Sequence, residues 1–265
     1  MIVLDYVIPG TWIDSNDEQW ARKIEQQIIF LEAQFRDANI ALNMFNTFKP
    51  SISYPFSREK YLADLERKRE IRAELVKEIT KEGMSINEYE NELNLQTEIH
   101  FKREKWDQGS NPIEFENHRT FIYARAYLNA LDNFDRLLKK LVEEKNIPSE
   151  VGEYHKKIST YFPDLRPVRN TMQHLEDRSR GLDSSRPPKP MNLKKIDNNI
   201  IHAPNGGVLV FNTLNGSNFE ATKANGELGR VEISKQSLEK LHEIFTGVLN
   251  SFIWKGPKQH KPTFY

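Results

Sequence analysis

The segment V-R-N-T-M-Q-H-L-E-D-R, Val168 to Arg178, sets Arg169, Asn170 and His174 within six residues. An imidazole with an ordinary pKa of ~6.5 can take up or release a proton near neutrality. A guanidinium presents a fork of donors that suits phosphate. On a helix, Val168, Met172 and Leu175 share a stripe that would face a core. Arg169 and His174 then lie about 140° apart around the axis and ~7.5 Å along it, at the two edges of a polar arc. Asn170, four residues before His174, can hold the imidazole. Asp177, three after, can hold it from the other side and raise its pKa. Pro167 suits the first helical position, which puts Arg169 in the first turn beside free backbone donors, a seat for phosphate.

Other chemistries find no support. The remaining histidines are scattered, with no H-x-x-x-H or H-E-x-x-H pair to place two metal ligands on one helix face. The chain has no cysteine and no G-x-S-x-G elbow, which removes thiolate chemistry and leaves acyl transfer without a nucleophile motif. No glycine-rich phosphate loop is present. No metal and no cofactor are expected.

Arg169-Asn170-x-x-x-His174, late in a helical bundle, resembles the R-polar-x-x-x-H motif of HEPN (higher eukaryotes and prokaryotes nucleotide-binding) domains. The resemblance covers roughly Glu114 to Gly181, with the final helix as the one candidate addition, and accounts for neither the first hundred residues nor the sheet. It implies a homodimer in which two motif helices build a composite cleft, and metal-independent RNA cleavage of the toxin or antiviral-defence type. His174 would then be the general base or acid, Arg169 would bind the scissile phosphate, and Asn170 would orient His174 or contact phosphate. Arg166, Arg178 and Arg180 would bind substrate and offset the acidic pair Glu176 and Asp177. The same residues also fit a solvated or packing polar face. On that alternative the protein is a non-catalytic helical interaction module, or one that binds nucleotide or RNA, with its long N-terminal helices available to a protein partner.

Composition leaves both readings open. Lysine plus arginine number 38 and aspartate plus glutamate 38 in 265 residues, so no global field draws a polyanion and any such binding needs a local patch. The apolar run in MIVLDYVIPG is too short for a signal peptide, and no segment approaches the ~20 apolar residues of a membrane span. A cytoplasmic protein without membrane contact is expected.

The elements that must position the motif are mainly α-helical: a helical bundle with long N-terminal helices and a small antiparallel β-meander near the C-terminus. Trp20, Ile24, Ile28, Leu31, Phe35 and Ala38 recur at helical spacing after a cap at Asp14 or Ser15. KPSISYPF, 49–56, reads as a loop. A second helix starts at Ser57, with Tyr61, Leu65, Ile71, Leu75 and Ile79 along one side and charges of alternating sign that suit i,i+4 pairs. Gly83 stops it, and Ser85 with Glu88 offers a capping box for a third helix to about Trp106. Phe121, Ala124, Leu128, Leu131, Phe134 (or Asp135), Leu138 and Leu141 mark the strongest helix, and a shorter one follows from Ser149 to Tyr161. Three Asn-Gly pairs, at 205–206, 215–216 and 225–226, predict type I′ hairpins joining three or four strands. Ser234 caps a last helix, and KGPKQHKPTFY reads as a disordered tail. The expected divisions are an N-terminal helical region (1–112), the bundle core (113–182), a linker (183–198), the meander (199–233), the C-terminal helix (234–254) and the tail (255–265).

Overall fold

The computed structural model describes residues 1–48, 57–81 and 89–263. Its elements are β1 (Tyr6–Ile8), β2 (Trp12–Ile13), α1 (Glu18–Phe48), α2 (Arg58–Lys81), α3 (Glu90–Asp107), α4 (Ile113–Val142), α5 (Ser149–Tyr161), α6 (Leu165–Gln173) and α7 (Leu175–Arg178), then β3 (Ile196–Asp197), β4 (His202–Ala203), β5 (Thr213–Asn215), β6 (Asn218–Thr222), β7 (Leu228–Glu232), α8 (Lys235–Asn250), β8 (Trp254–Lys255) and β9 (Gln259–Lys261). Helix makes up 58% of the described residues and the sheets are small and antiparallel, so the mainly α class holds. No helix among the described residues is long and apolar enough to cross a membrane.

The chain forms two units, 1–47 with 120–265, and 48–119. The boundary expected at 112/113 is therefore replaced by two, and α1 joins the C-terminal half. The reason is burial: Ile24, Ile28, Leu31, Phe35 and Ala38 of α1 share one core with Ala124, Leu128, Leu131, Phe134, Leu138 and Leu141 of α4 and with Leu241, Phe245 and Val248 of α8. Rings of Tyr6, Phe35, Phe134 and Phe245 pack edge-on or stacked at its centre. Buried hydroxyls are satisfied, Tyr6 donating to Glu32 Oε1 at 2.7 Å and Tyr127 lying 2.6 Å from Ser237 Oγ. The cap of α1 is Asp17, whose carboxylate accepts the Trp20 N–H at 2.9 Å, rather than Asp14 or Ser15.

The tail is ordered through residue 263. β9 pairs antiparallel with β1 and β8 with β2, in register Val7↔His260 and Ile13↔Trp254. Polar composition suggested disorder, but the partner strands lie at the other end of the sequence, where no local pattern reveals them.

In the 48–119 unit, the charges of α2 do more than pair within one helix. Arg67 bonds Glu104 through two nitrogens, Lys68 pairs with Glu98, Arg72 with Glu90 and Lys105 with Asp64, so α2 and α3 are laced together. Within α2, Arg67–Glu70 and Arg69–Glu66 are three residues apart and Arg67–Glu74 seven, rather than four. Ile71 is buried while Tyr61 is exposed. The loop at 49–56, the Gly83 stop and the Ser85–Glu88 box lie outside the described residues, as does the Ile79 side chain.

The meander is three-stranded, in order β5-β6-β7. All three Asn-Gly glycines take positive φ, but the asparagines before them do not, so none forms the expected type I′ turn. Gly216 and Ser217 are the two loop residues between β5 and β6, with the glycine first, the arrangement of a II′ turn. Gly226 sits in a five-residue loop between β6 and β7. Gly206 follows β4 and closes a turn onto the Ala203 carbonyl at 3.1 Å instead of joining paired strands. Gly226 also accepts the Lys194 N–H at 2.9 Å, and a Cβ there would sit 2.0 Å from the Asn192 carbonyl oxygen. With φ at +83° it has no room and no freedom to change. Gly226→Ala is expected to destabilise the fold by about 1–3 kcal/mol and to free the 192–194 strap. Urea unfolding and proteolysis within 183–198 would register both effects, and an unchanged midpoint would refute this.

Candidate functional site

The motif segment is held by the meander. Val168 of α6 packs where a Cβ on Gly229 would reach 2.8 Å from its Cγ2. Thr171 donates to the Thr222 carbonyl at 2.8 Å. Asp164, just before α6, accepts Lys223 Nζ at 3.0 Å and the Arg230 N–H at 3.0 Å. Burial of Lys223 would lower its pKa, but Asp164 and Glu227 beside it hold the ammonium above its usual range. The sheet is thus a brace that fixes the register of α6.

Two expectations about the segment change. α6 begins at Leu165, so Pro167 is its third residue; its missing N–H is still one of the unpaired first-turn donors and costs nothing. More consequentially, the helix stops at Gln173. His174 has φ −116° and ψ 42°, and its carbonyl accepts the N–H groups of Asp177 and Arg178 as α7 begins. Arg169 and His174 therefore do not share one continuous helix face, and the 140° separation does not apply. Val168 is buried and Met172 half-buried, but the break carries Leu175 out to solvent.

The predicted side chains fall into three groups. Arg169 is only 6% exposed, with Nη2 2.9 Å from Asp132 Oδ2 and Nη1 bonded to Gln173. It is not beside free backbone donors. Its partner Asp132 is also held by Arg136 Nε at 2.8 Å. Burial raises the Asp132 carboxyl above its usual range, while Arg136 pulls it back and Asp135 adds to the rise. Arg166 and Arg180 are exposed and each pairs one nitrogen with a carboxylate, of Asp135 and Asp177, at 2.9 and 2.5 Å. Asp177 is thereby engaged with Arg180 and does not hold His174, whose Nδ1 lies 3.7 Å from Glu176 instead.

Asn170, His174 and Arg178 do come together. They line a cleft of about 400 Å³ with Pro167, Ser184, Lys223, Ala224 and Asn225. A smaller hollow of about 190 Å³ adjoins it at His174, Arg178 and Ser184, with Asp177, the 183–186 segment and Pro188 around it. Asp183 shapes that wall: its Oδ1 accepts from the Ser185 hydroxyl and from the Ser185 and Lys189 N–H groups, which lower its pKa to about 2. His174 and Asn170 are exposed, whereas Arg178 is only 2% exposed. One Arg178 nitrogen donates to the Leu182 carbonyl at 2.6 Å, and its buried Nε has no hydrogen-bond partner. Among the described residues no carboxylate pairs with it. A buried guanidinium without a counter-charge costs free energy that an anion in the cleft would offset.

The sequence pointed to Arg178 only as one of several arginines, and missed Lys223 and Asn225 altogether. Those two stand on the loop after β6, and nothing local to them signals proximity to His174. Asp132 and Asp135 left a better trace, since acidic residues on the core-facing stripe of α4 demand cationic partners. No family model matches the chain, and no curated protein and no solved structure is similar to it at a significant level.

Proposed function

We propose that the chain is an HEPN-like, RNA-acting protein whose His174 cleft binds a phosphodiester and cleaves it without a metal. The observation that carries this reading is Arg178, a buried cation with an unpartnered Nε on the wall of a cleft that also presents an exposed imidazole. Arg178 would hold the scissile phosphate and stabilise the charge that develops on its oxygens. His174 would take the proton of the ribose 2′-hydroxyl as that oxygen attacks phosphorus. The bond to the 5′-oxygen breaks, and that oxygen leaves with a proton from an imidazolium, giving a 2′,3′-cyclic phosphate and a 5′-hydroxyl. A second imidazole, from another copy across a two-fold axis, would let base and acid act together. With Arg169 committed to Asp132, its part in this reading is to fix α6 rather than to touch phosphate. A role in toxin or defence systems belongs to the same proposal.

Purified full-length protein should cleave RNA in EDTA and sediment as a dimer. His174→Ala should lower the rate by about 10²–10⁴-fold without shifting the melting temperature, and Arg178→Gln should weaken RNA binding. Wild-type protein that binds RNA through Arg178 and leaves it intact would favour the non-catalytic binding module. A fully active His174→Ala variant would end the enzyme reading.

A further inference from the structure

A second cleft, of about 420 Å³, lies between α5 and the start of α6. Its volume is in the range of small-molecule sites. Ile158, Phe162 and Leu165 give it an apolar floor, while His155, Lys156 and Arg166 bring cationic or ionisable groups to its edge. Asp135 anchors this edge. One carboxylate oxygen lies 3.0 Å from His155 Nε2 and the other accepts Arg166 Nη2 at 2.9 Å. Burial would raise the Asp135 carboxyl, but the bonds from His155 and Arg166 hold it below its usual range, so both oxygens remain committed. Among the described residues nothing else bonds His155 Nδ1 or the other Arg166 nitrogens; Nδ1 donates to an anion when the ring is an imidazolium, the form that both Asp135 and a bound phosphate favour. Lys156 is partly offset by Glu153 at 2.7 Å.

We propose that this cleft is a separate anion site that takes the phosphate of a small phosphomonoester, such as a nucleoside monophosphate, on His155 and Arg166. The apolar floor then covers the organic body of the ligand, which an inorganic ion lacks. The site stands on its own residues and needs neither His174 nor RNA cleavage.

The test is NMR of the His155 ring during titration of the full-length protein with adenosine 5′-monophosphate, inorganic phosphate or adenosine. The monophosphate should shift the ring saturably, inorganic phosphate more weakly and adenosine not at all. Arg166→Gln should raise the Kd of the monophosphate about tenfold or more, the worth of one charge-assisted hydrogen bond. Lys156→Gln, an exposed change paired only with Glu153, should raise it about threefold and decides the matter should Arg166→Gln not fold. His174→Ala should leave the titration unchanged, so the site survives failure of the ribonuclease reading. An unmoved His155 ring, adenosine binding as tightly as its monophosphate, an unchanged Kd in Arg166→Gln or Lys156→Gln, or loss of the shift in His174→Ala would each overturn the proposal.

Discussion

Arg169→Met is expected to lower stability by about 3 kcal/mol, seen as a drop in urea midpoint with little change in slope. Both partners of the Arg169–Asp132 pair are buried, so little solvent screening reduces the effect. Removing the guanidinium leaves the Asp132 carboxylate inside the protein with Oδ1 already unpartnered and only Arg136 on Oδ2. Breaking a buried pair costs ~3–5 kcal/mol because one charge is stranded, and the remaining Arg136 contact places this case at the low end. The double change Arg169→Met with Asp132→Leu should recover most of the loss, since two apolar residues of similar volume strand nothing. The same variants separate two roles for Arg169. If the single variant is as stable as wild type yet loses RNA cleavage, the guanidinium is free for substrate and the buried pair is not what holds α6. If the double variant regains both stability and activity, Arg169 positions the helix and does no chemistry.

Legibility from sequence followed the length scale of each interaction. The stripes of α1 and α4 were readable because helical period and burial coincide over many turns, and Ile24 to Ala38 and Ala124 to Leu141 are buried as the spacing implied. The bounds of α5 and the Ser234 cap of α8 were readable because proline and serine act on adjacent backbone groups. The break at His174 was not, since Gln173, His174 and Leu175 include no glycine or proline and the helical period runs through them. The Asn-Gly pairs announced turns correctly but not their type, which depends on the strands each turn joins. The candidate cleft was half legible. Asn170, His174 and Arg178 belong to one segment, while Lys223 and Asn225 reach them only through the packing of α6 on β6 and β7.

Deleting residues 254–265 is expected to cost roughly 3–5 kcal/mol, where a disordered tail would cost within about 0.5 kcal/mol. Trp254 packs on the main core and its indole N–H donates to the Leu249 carbonyl at 2.7 Å. Its partial burial alone contributes about 1–2 kcal/mol. The Lys255 carbonyl accepts the Thr11 N–H at 2.8 Å, and His260 Nε2 lies 2.8 Å from Asp5 Oδ2. Each ladder bond adds on the order of 1 kcal/mol net. Ile253 stays in the shortened chain and keeps the Asp14 N–H bond, so β2 is weakened rather than released. β1 has no such reserve, because its register partners are Gln259 to Lys261. The side chain of Tyr6 stands between Phe35 and Phe245, which ties the fate of β1 to the aromatic centre of the core. Amide exchange at Val7 and Ile8 should therefore speed up in the shortened protein, with a lowered melting temperature and less change in the 48–119 unit. Trp254→Ala should reproduce the loss of core packing but leave β1 protected. A shortened chain that melts with the wild type, and keeps its β1 amides equally slow, would show that the two terminal ladders contribute nothing to holding α1 against α8.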